Sequence, residues 1–390
     1  MVVYIMILVA ADSFKGSLSS MEAGRSIERG IKRVYKDARV LVLPLADGGE
    51  GTVEAAASGY NGRICKVNVT GPLGGKVLCE YAVINGNTAV IEMAGAAGIT
   101  LLDKKEQNPL YTTTYGVGEV IKHAVNAGLR KFIIGIGGSA TNDGGAGMLQ
   151  ALGFRLEKSD GKQIGYGAAG LKDLAVITNE AAMPELKECI FKVACDVTNP
   201  LCGTNGCSMV FGPQKGASQD MAVQMDTWLR NYSVIAKNVN PAADGSIPGS
   251  GAGGGIGFAF LAFLNASLEP GAGLILNETG FTEYVKTADL VITGEGCLDG
   301  QTIMGKAPAG AAAIAKKYNK PVIAFAGSVT DKAVLCNNAG IDAFFPVLRS
   351  VCTLEEAMDK ERARKNIEDT AEQIFRLIRA AGMFSMDFSN

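Results

Sequence analysis

The chain has 390 residues, of which 47% are hydrophobic and 19% are charged, a composition typical of a globular protein and not of a disordered one. This length favours two or three domains, and we expect two. The formal net charge of −2 and the absence of a long Lys/Arg run argue against a basic face, so nucleic acid is not an expected partner.

The first predicted element is a buried strand from Val3 to Val9. It lacks a preceding basic segment and is too short to cross a bilayer, so we expect neither a signal peptide nor a membrane anchor. A helix from Ser20 to Tyr35 follows, with Ser19 and Glu22 as N-cap residues, and Arg39 to Leu43 forms the next strand. This order predicts a parallel βαβ unit.

The middle of the chain predicts hairpins, whereas the end returns to strands alternating with helices. Short strands at Val67–Thr70, Tyr81–Ile84 and Thr88–Met93 are separated by turn-forming residues. Later apolar runs at Leu290–Thr293 and Val322–Ala326 lie between helical stretches, which suits a sheet covered on both faces.

This order of elements predicts two α/β domains, one built from both ends of the chain and one inserted between them. Residues 1–65 and 285–390 are expected to form a discontinuous Rossmann-like domain with a parallel sheet. Residues 66–284 are expected to form an inserted α/β domain with a mixed sheet, and the cleft between the two is the expected active site. The segment 110–150, with a strand-like run at Lys131 to Gly135, could belong to either domain.

The cysteines and the single histidine indicate the redox state of the thiols and limit the side chains available for acid–base catalysis. The nine cysteines form no C-x-x-C pair, so without a secretory signal we expect reduced thiols and a cytoplasmic location. The only histidine, His123, falls in a helical pattern and is expected on the helix surface. Acid–base catalysis is therefore expected from carboxylates and lysines.

Polar glycine-rich loops follow several predicted strands. Asp12, Ser13 and Lys15 come directly after the first strand, and Asp47 comes after the second. Asp196 follows a later apolar run, and all of these are carboxyl ends of strands, where α/β sheets bind ligands.

The loop after Lys131–Gly135 predicts an anion site. Its backbone amides and the start of the following helix can form a nest for a carboxylate or a phosphate, and the sequence does not choose between them. Turn formation explains the glycines but not the polar residues beside them. The candidate binding residues of this loop are Gly137, Gly138, Ser139, Asn142 and Asp143.

Two further glycine patterns match motifs only in part. Gly249, Gly251 and Gly254 fit G-x-G-x-x-G, but no strand precedes them, so we favour a glycine-rich cradle over a dinucleotide site. Residues 300–306 fit the P-loop spacing, yet Ala307 replaces the Ser or Thr that binds magnesium.

Six motifs in chain order resemble the bacterial type (type I) of glycerate kinase. They are DSFKGS (12–17), PLADGGEGT (44–52), GIGGSATNDGGAGM (135–148), CDVTNP (195–200), FGPQKGA (211–217) and TGEGCLDGQTIMGK (293–306). The resemblance implies two dissimilar α/β domains and ATP-dependent phosphorylation of D-glycerate, generally at the 2-hydroxyl. Relatives often carry Arg and His where this chain has Cys297 and Met304.

Phosphoryl transfer needs cations near the phosphates, carboxylates for a metal ion and a base for the hydroxyl proton. ATP and Mg²⁺ are the expected cofactors and glycerate the expected substrate. We assign Glu295 and Asp299 to the metal and Asp196 to the base. The other predicted catalytic residues are Lys306, Lys15 and Asp47. The other predicted binding residues are Asp12, Ser13, Lys215, Gly251, Gly253 and Gln301.

Two other functions fit part of the pattern. A binding protein for a small carboxylate would explain the anion nest without needing so many acids in the loops. An NAD-dependent oxidoreductase on a hydroxy acid would use the G-x-G-x-x-G pattern. Nucleotide-dependent turnover separates both from a kinase.

Overall fold

The computed structural model describes residues 5–45, 48, 49, 51–59, 62–382 and 384, apart from the side chain of Met304. The chain divides into two compact units. Unit 1 comprises Met1–Asp47, Ser58–Tyr60 and Ala272–Asn390, and unit 2 comprises Gly48–Ala57 and Asn61–Gly271. The domain boundaries given above stay a prediction.

The described strands run in chain order as β1 (Met6–Ala11), β2 (Arg39–Val42), β3 (Arg63–Thr70), β4 (Lys76–Ile84), β5 (Thr88–Glu92), β6 (Lys131–Gly135), β7 (Arg155–Glu157), β8 (Val176–Thr178), β9 (Ile190–Ala194), β10 (Ser267–Glu269), β11 (Leu290–Leu298), β12 (Val322–Val329) and β13 (Ala343–Pro346).

The described helices are α1 (Ser20–Lys32), α2 (Thr52–Gly59), α3 (Ala94–Ala97), α4 (Tyr115–Asn126), α5 (Ala146–Ala151), α6 (Ala168–Leu171), α7 (Cys207–Phe211), α8 (Gln219–Ala236), α9 (Ala252–Phe263), α10 (Gly271–Glu278), α11 (Phe281–Thr287), α12 (Ala307–Lys317), α13 (Leu335–Asn338), α14 (Leu354–Met358) and α15 (Lys360–Ala380). Short 3₁₀ turns cover Ile99–Leu101, Lys104–Glu106, Pro184–Glu188, Pro213–Lys215, Thr302–Met304 and Asp331–Val334.

Unit 1 contains a five-stranded parallel sheet in the order β13-β12-β11-β1-β2. This is a doubly wound order, and it reverses between β1 and β11. Ligands of such sheets bind outside the carboxyl ends of the strands at this switch point. The loops after β1 and β11 therefore lie where a ligand is expected.

The apolar run of β1 is explained by burial on both faces of this sheet. Ile7 and Val9 pack with Ile27 of α1 in one core cluster, whereas Leu8 and Ala10 belong to a second cluster on the other face. A strand that is apolar at successive positions is typical of a parallel sheet covered by helices on both sides. The predicted parallel sheet is confirmed.

Helix α1 begins as predicted and packs against the C-terminal helix α15. The hydroxyl of Ser19 accepts a hydrogen bond from the backbone amide of Glu22, whose carboxylate in turn accepts from the amide of Ser19. At the other end, Arg33 forms ion pairs with Glu368 and Asp369 of α15. The helix ends at Lys32, short of the predicted Tyr35.

Unit 2 contains a six-stranded sheet in the order β10-β9-β6-β5-β4-β3. The pairs from β5 to β10 are parallel, whereas β3, β4 and β5 pair antiparallel, as the predicted hairpins require. The mixed sheet is confirmed, and Lys131–Gly135 lies inside it. His123 is exposed on α4, with a ring nitrogen 3.0 Å from the hydroxyl of Tyr81.

The predicted end of the strand that begins at Leu290 is wrong. The strand predicted to stop at Thr293 continues as β11, and Glu295 pairs in register with Ala326 of β12. The glycines on either side of Glu295 permit close packing of β11 against its neighbours. A Cβ on Gly294 would lie 2.5 Å from the carbonyl oxygen of Phe325. Pairing on both sides of a central strand outweighs local composition here.

No helix among the described residues is both long and apolar enough to span a membrane.

Candidate active site

The loop after β1 lies against the second half of β11 in unit 1. The backbone amide of Asp12 donates to the carbonyl of Gly294 at 2.8 Å. A Cβ on Gly296 would lie 3.3 Å from the backbone nitrogen of Lys15. The switch point therefore brings the DSFKGS segment against the acidic stretch that begins at Glu295.

One lysine contacts two carboxylates at this edge. The ammonium nitrogen of Lys306 lies 3.5 Å from an oxygen of Asp299 and 3.7 Å from an oxygen of Glu295. Lys306 is the N-cap residue of α12 and follows Gly305, whose φ of 110° turns the chain into the helix. Because a single ammonium reaches both carboxylates, they converge on one point that suits a cation.

The two carboxylates have opposite pKa shifts. Glu295 is buried and accepts a hydrogen bond from the hydroxyl of Thr302 at 2.6 Å. Burial raises the pKa of Glu295, although this hydrogen bond and the charge of Lys306 oppose the shift. Burial also acts to raise the pKa of Asp299, but the amide of Gln301 and the charge of Lys306 outweigh it and the pKa is lowered. Asp299 is therefore the more acidic of the pair.

The pair fits a magnesium ion that is held jointly with phosphates. No cluster of three or more His, Cys, Asp or Glu side chains suited to a metal occurs in the described ranges. Mg²⁺ needs only one or two carboxylates when substrate phosphates supply other oxygens. Glu295 and Asp299, which already converge on an ammonium, provide such a donor set.

Three of the motif segments meet at the carboxyl edge of the unit 2 sheet. Gly48, with a φ of 86°, approaches β9 so closely that a Cβ there would lie 2.3 Å from the Cβ of Ala194. A Cβ on Gly135 would lie 2.1 Å from the carbonyl oxygen of Gly48. The segments that contain Gly48, Gly137 and Asp196 are therefore neighbours. Asp47 lies outside the described residues.

The Gly137–Ser139 loop presents backbone donors. Gly137 and Gly138 are exposed, and the φ of Gly138 is 70°. The loop is held from one side, because the carbonyl of Gly138 accepts from the amide of Ile99 at 2.9 Å. The amides of Gly137, Gly138 and Ser139 donate no hydrogen bond within the described part of the chain. Consecutive free amides beside a positive φ can bind an anion.

Asp143 is buried and caps helix α5. Its carboxylate accepts hydrogen bonds from the amide and hydroxyl of Thr114, and from the amides of Gly145 and Gly147. Burial raises its pKa, and these hydrogen bonds oppose the shift. The start of α5 is therefore already occupied by a carboxylate of this chain. Within the predicted nest, Gly137 and Gly138 are the exposed residues, and a ligand contact at the start of α5 stays a prediction.

Two other predicted ligand contacts lie beneath the same loop. The side-chain amide of Asn142 donates to the hydroxyl of Ser208 at 2.8 Å. The ammonium of Lys215 donates to the hydroxyl of Ser139 at 2.7 Å and to the carbonyl of Thr141 at 2.6 Å. Asn142 is 0% exposed and Lys215 is 2% exposed. Burial lowers the pKa of Lys215 to about 8.

The glycine-rich segment around Gly251 packs against the other loops of unit 2. A Cβ on Gly251 would lie 2.2 Å from the carbonyl oxygen of Pro200, and one on Gly253 would lie 3.0 Å from that of Ile136. No described strand leads into this segment. Close packing therefore explains why glycine occupies these positions. The strand that a dinucleotide-binding motif requires before its glycines is not found among the described strands. Asp196 is exposed just past β9 and accepts a hydrogen bond from the amide of Gly271 at 2.9 Å.

Comparison with known proteins decides the family. Residues 7–379 match the glycerate kinase family. The chain belongs to this family. It is 47% identical to glycerate 2-kinase of Escherichia coli K12, over 93% of this chain and 97% of that protein. It is 46% identical to glycerate kinase of Bacillus subtilis 168, over 96% and 98% of the two chains.

A solved structure agrees with these relatives. The crystal structure of a Salmonella typhimurium LT2 protein assigned as glycerate kinase 2 superposes with a TM-score of 0.89. The two sequences are 45% identical, and the match covers 98% of this chain and 100% of the other. The family resemblance of the six motifs is thus confirmed. The chain is a kinase, a phosphotransferase with an alcohol group as acceptor.

Within this glycerate kinase family member, the predicted residues fall into two groups. The unit 1 group is Asp12, Ser13, Lys15, Glu295, Asp299, Gln301 and Lys306. The unit 2 group is Gly137, Gly138, Ser139, Asn142, Asp143, Asp196, Lys215, Gly251 and Gly253. Thr302, which lies inside a quoted motif and hydrogen-bonds to Glu295, is not among the predicted residues. Neither is Thr114, for which the sequence carries no local signal.

Proposed function

We propose that this kinase transfers the γ-phosphoryl group of ATP to the 2-hydroxyl of D-glycerate and produces 2-phosphoglycerate. The observation that carries the proposal is the contact of Lys306 with both Glu295 and Asp299 at the switch point of a parallel sheet. The family supports the choice of substrate, and the name of the Escherichia coli relative supports the 2-hydroxyl.

The phosphate chemistry is assigned to unit 1. Phosphoryl transfer is catalysed mainly by positioning and by neutralising charge on the phosphate oxygens. Lys306 and the exposed Lys15 supply positive charge. Glu295 and Asp299 are the residues that would hold Mg²⁺, which neutralises phosphate charge when bound. Asp12, Ser13 and Gln301 stay assigned to nucleotide or substrate binding.

Asp196 is proposed as the base that accepts the proton of the substrate hydroxyl. It is an exposed carboxylate at the carboxyl end of β9, the position at which parallel sheets place reactive groups. Its hydrogen bond from Gly271 fixes one carboxylate oxygen. Asp47 stays a predicted catalytic residue, and the cytoplasmic location stays a prediction.

The decisive experiment is phosphorus NMR of the products formed from ATP, Mg²⁺ and D-glycerate. We expect resonances of ADP and 2-phosphoglycerate, with L-glycerate as the stereochemical control. Formation of 3-phosphoglycerate would overturn the assignment of the 2-hydroxyl alone. Unreacted ATP with every divalent metal tested would overturn the proposed reaction and favour binding without turnover.

A further inference from the structure

Lys215 is a buried cation with neutral partners. It is 2% exposed, and its ammonium donates to the hydroxyl of Ser139 and the carbonyl of Thr141. An ammonium has three N–H donors, so these two bonds leave one unused. In the described part of the chain, no carboxylate forms an ion pair with Lys215. Burial of an unpaired charge is costly, so the position calls for a compensating anion.

Asp143 does not supply that anion. It influences Lys215 from a distance, but its carboxylate already accepts four hydrogen bonds from Thr114, Gly145 and Gly147. Two polar groups of the segment that leads to Asp143 are also unsatisfied. The hydroxyl of Thr141 and the side-chain carbonyl of Asn142 are buried without a hydrogen-bond partner. The Lys215 ammonium is therefore hydrogen-bonded only to neutral groups among the described residues.

Ser139 connects this charge to the surface. Its hydroxyl receives the hydrogen bond of Lys215, and its backbone amide belongs to the same three-residue run as the free amides of Gly137 and Gly138. Both glycines are exposed, so an anion can approach these backbone donors without meeting a side chain of theirs. Free backbone amides next to a buried ammonium create a region of positive electrostatic potential, which attracts an anion.

We propose that the Gly137–Ser139 loop is the binding site for one oxyanion group of a substrate. In this site the three amides contact the anion, and Lys215 is a positioning residue that acts through Ser139 from beneath. The inference rests on the proposed function, because the oxyanion is either the carboxylate of glycerate or a phosphate of ATP. In this proposal Lys215 does not contact the ligand, whereas the sequence alone predicts that it does.

The test uses Ser139→Ala and Lys215→Met in the full-length enzyme, with Ser208→Ala as the matched control. Ser208 is also buried in unit 2, and its hydroxyl accepts a hydrogen bond from Asn142, but no hydrogen bond joins it to Lys215 among the described residues. KM is measured separately for D-glycerate and for ATP, and sulfate serves as the probe anion in thermal shift assays. We expect both test variants to raise one of the two KM values by about tenfold or more, with kcat changed much less.

The substrate whose KM rises identifies the oxyanion. A rise for glycerate assigns a carboxylate site, and a rise for ATP assigns a phosphate site. Stabilisation of the wild type by sulfate should be lost in Ser139→Ala and kept in Ser208→Ala. If Ser139→Ala merely loses stability, as Ser208→Ala does, and keeps both KM values and the sulfate effect, the proposal is overturned even where Lys215→Met does not fold. A wild type without turnover would contradict the proposed function only, since the sulfate assay reads the loop independently.

Discussion

Asp143 accepts two hydrogen bonds from Thr114, one from the backbone amide at 2.9 Å and one from the hydroxyl at 2.8 Å. Thr114 is the N-cap residue of α4, and Asp143 also caps the start of α5. A single carboxylate thereby fixes the starts of two helices that pack on each other in the core of unit 2. This relationship gives Asp143 a structural role.

The first prediction concerns stability. Asp143→Ala leaves buried donors of Thr114, Gly145 and Gly147 unsatisfied, so we expect the free energy of unfolding to fall by about 3 to 5 kcal/mol. Urea denaturation measures this loss. Asp173→Ala, at a half-exposed aspartate of the same unit, should change it by less than about 1 kcal/mol. If Asp143→Ala is fully stable but inactive, Asp143 instead binds a ligand, as the sequence predicts.

The second prediction concerns Lys306. Lys306→Met removes the cation that contacts Glu295 and Asp299, and we expect kcat to fall by about two orders of magnitude or more. The melting temperature should change little, because Lys306 is partly exposed. Lys316→Met is the matched control on the same helix, where the lysine pairs with Asp342 at the surface. Equal activities of the two variants would remove Lys306 from the site.

The third prediction concerns the metal. Asn at position 299 keeps an oxygen that can accept the amide hydrogen bonds of Gln301 and Thr302 but loses the negative charge. We therefore expect Asp299→Asn to raise the Mg²⁺ concentration needed for half-maximal activity by at least about tenfold. Titration with Mg²⁺ at saturating ATP measures this change, with the exposed Asp331→Asn as control. An unchanged Mg²⁺ requirement would argue that the metal lies elsewhere.

The fourth prediction concerns the base. Asp196→Asn preserves an acceptor for the amide of Gly271 but cannot take a proton, so we expect kcat to fall by about 10² to 10⁴. The fold should be unaffected in circular dichroism. Thr198→Ala, at an exposed neighbour, should retain activity. If Asp196→Asn keeps more than a tenth of the wild-type kcat, another carboxylate must act as base.

The fifth prediction concerns pH. Folding lowers the pKa of Lys215 from an ordinary value of 10.5 to about 8, so between these values the unfolded chain binds more protons than the folded one. The free energy of unfolding therefore rises with pH across that window. Below the window Lys215 is protonated in both states, so this gain is absent. Relative to Lys215→Met, the wild type should gain on the order of 1 kcal/mol on going from pH 8 to about pH 9.5. Urea denaturation measures the difference in free energy of unfolding between the two proteins. If this difference stays constant or falls with pH, burial does not lower the pKa of Lys215.

The sequence predicts the end of a strand well where a polar residue follows an apolar run. Asp12 follows β1 and Asp196 follows β9 as predicted, because a buried strand ends where the chain leaves the sheet. The predicted strand stops at Thr293, two residues before Glu295, where the run of apolar residues ends. Nothing local shows that the glycines on either side of Glu295 serve strand packing.

Whether a polar loop residue is buried is harder to predict from the sequence than the strand it follows. A polar side chain in a glycine-rich loop can point toward a ligand or into the core, and the sequence does not distinguish the two. The partner that holds Asp143 in the core is Thr114, 29 residues earlier, and the partner of Lys215 is Ser139, 76 residues earlier. Such contacts follow from the tertiary fold, so only the structure shows that Asp143 and Lys215 lie beneath the loop.

The pairing of β1 with β11 also sets the order in which the protein can fold during synthesis. β1 is a central strand, with Ile7 in register with Leu290, so its neighbour on one side is made long after β1 leaves the ribosome. At typical elongation rates this delay is about 15 to 60 seconds. The compact unit 2 is complete by Gly271, whereas β1, α1 and β2 must wait with their apolar faces uncovered. We therefore expect chaperones to bind the N-terminal βαβ unit while the rest of the chain is being made.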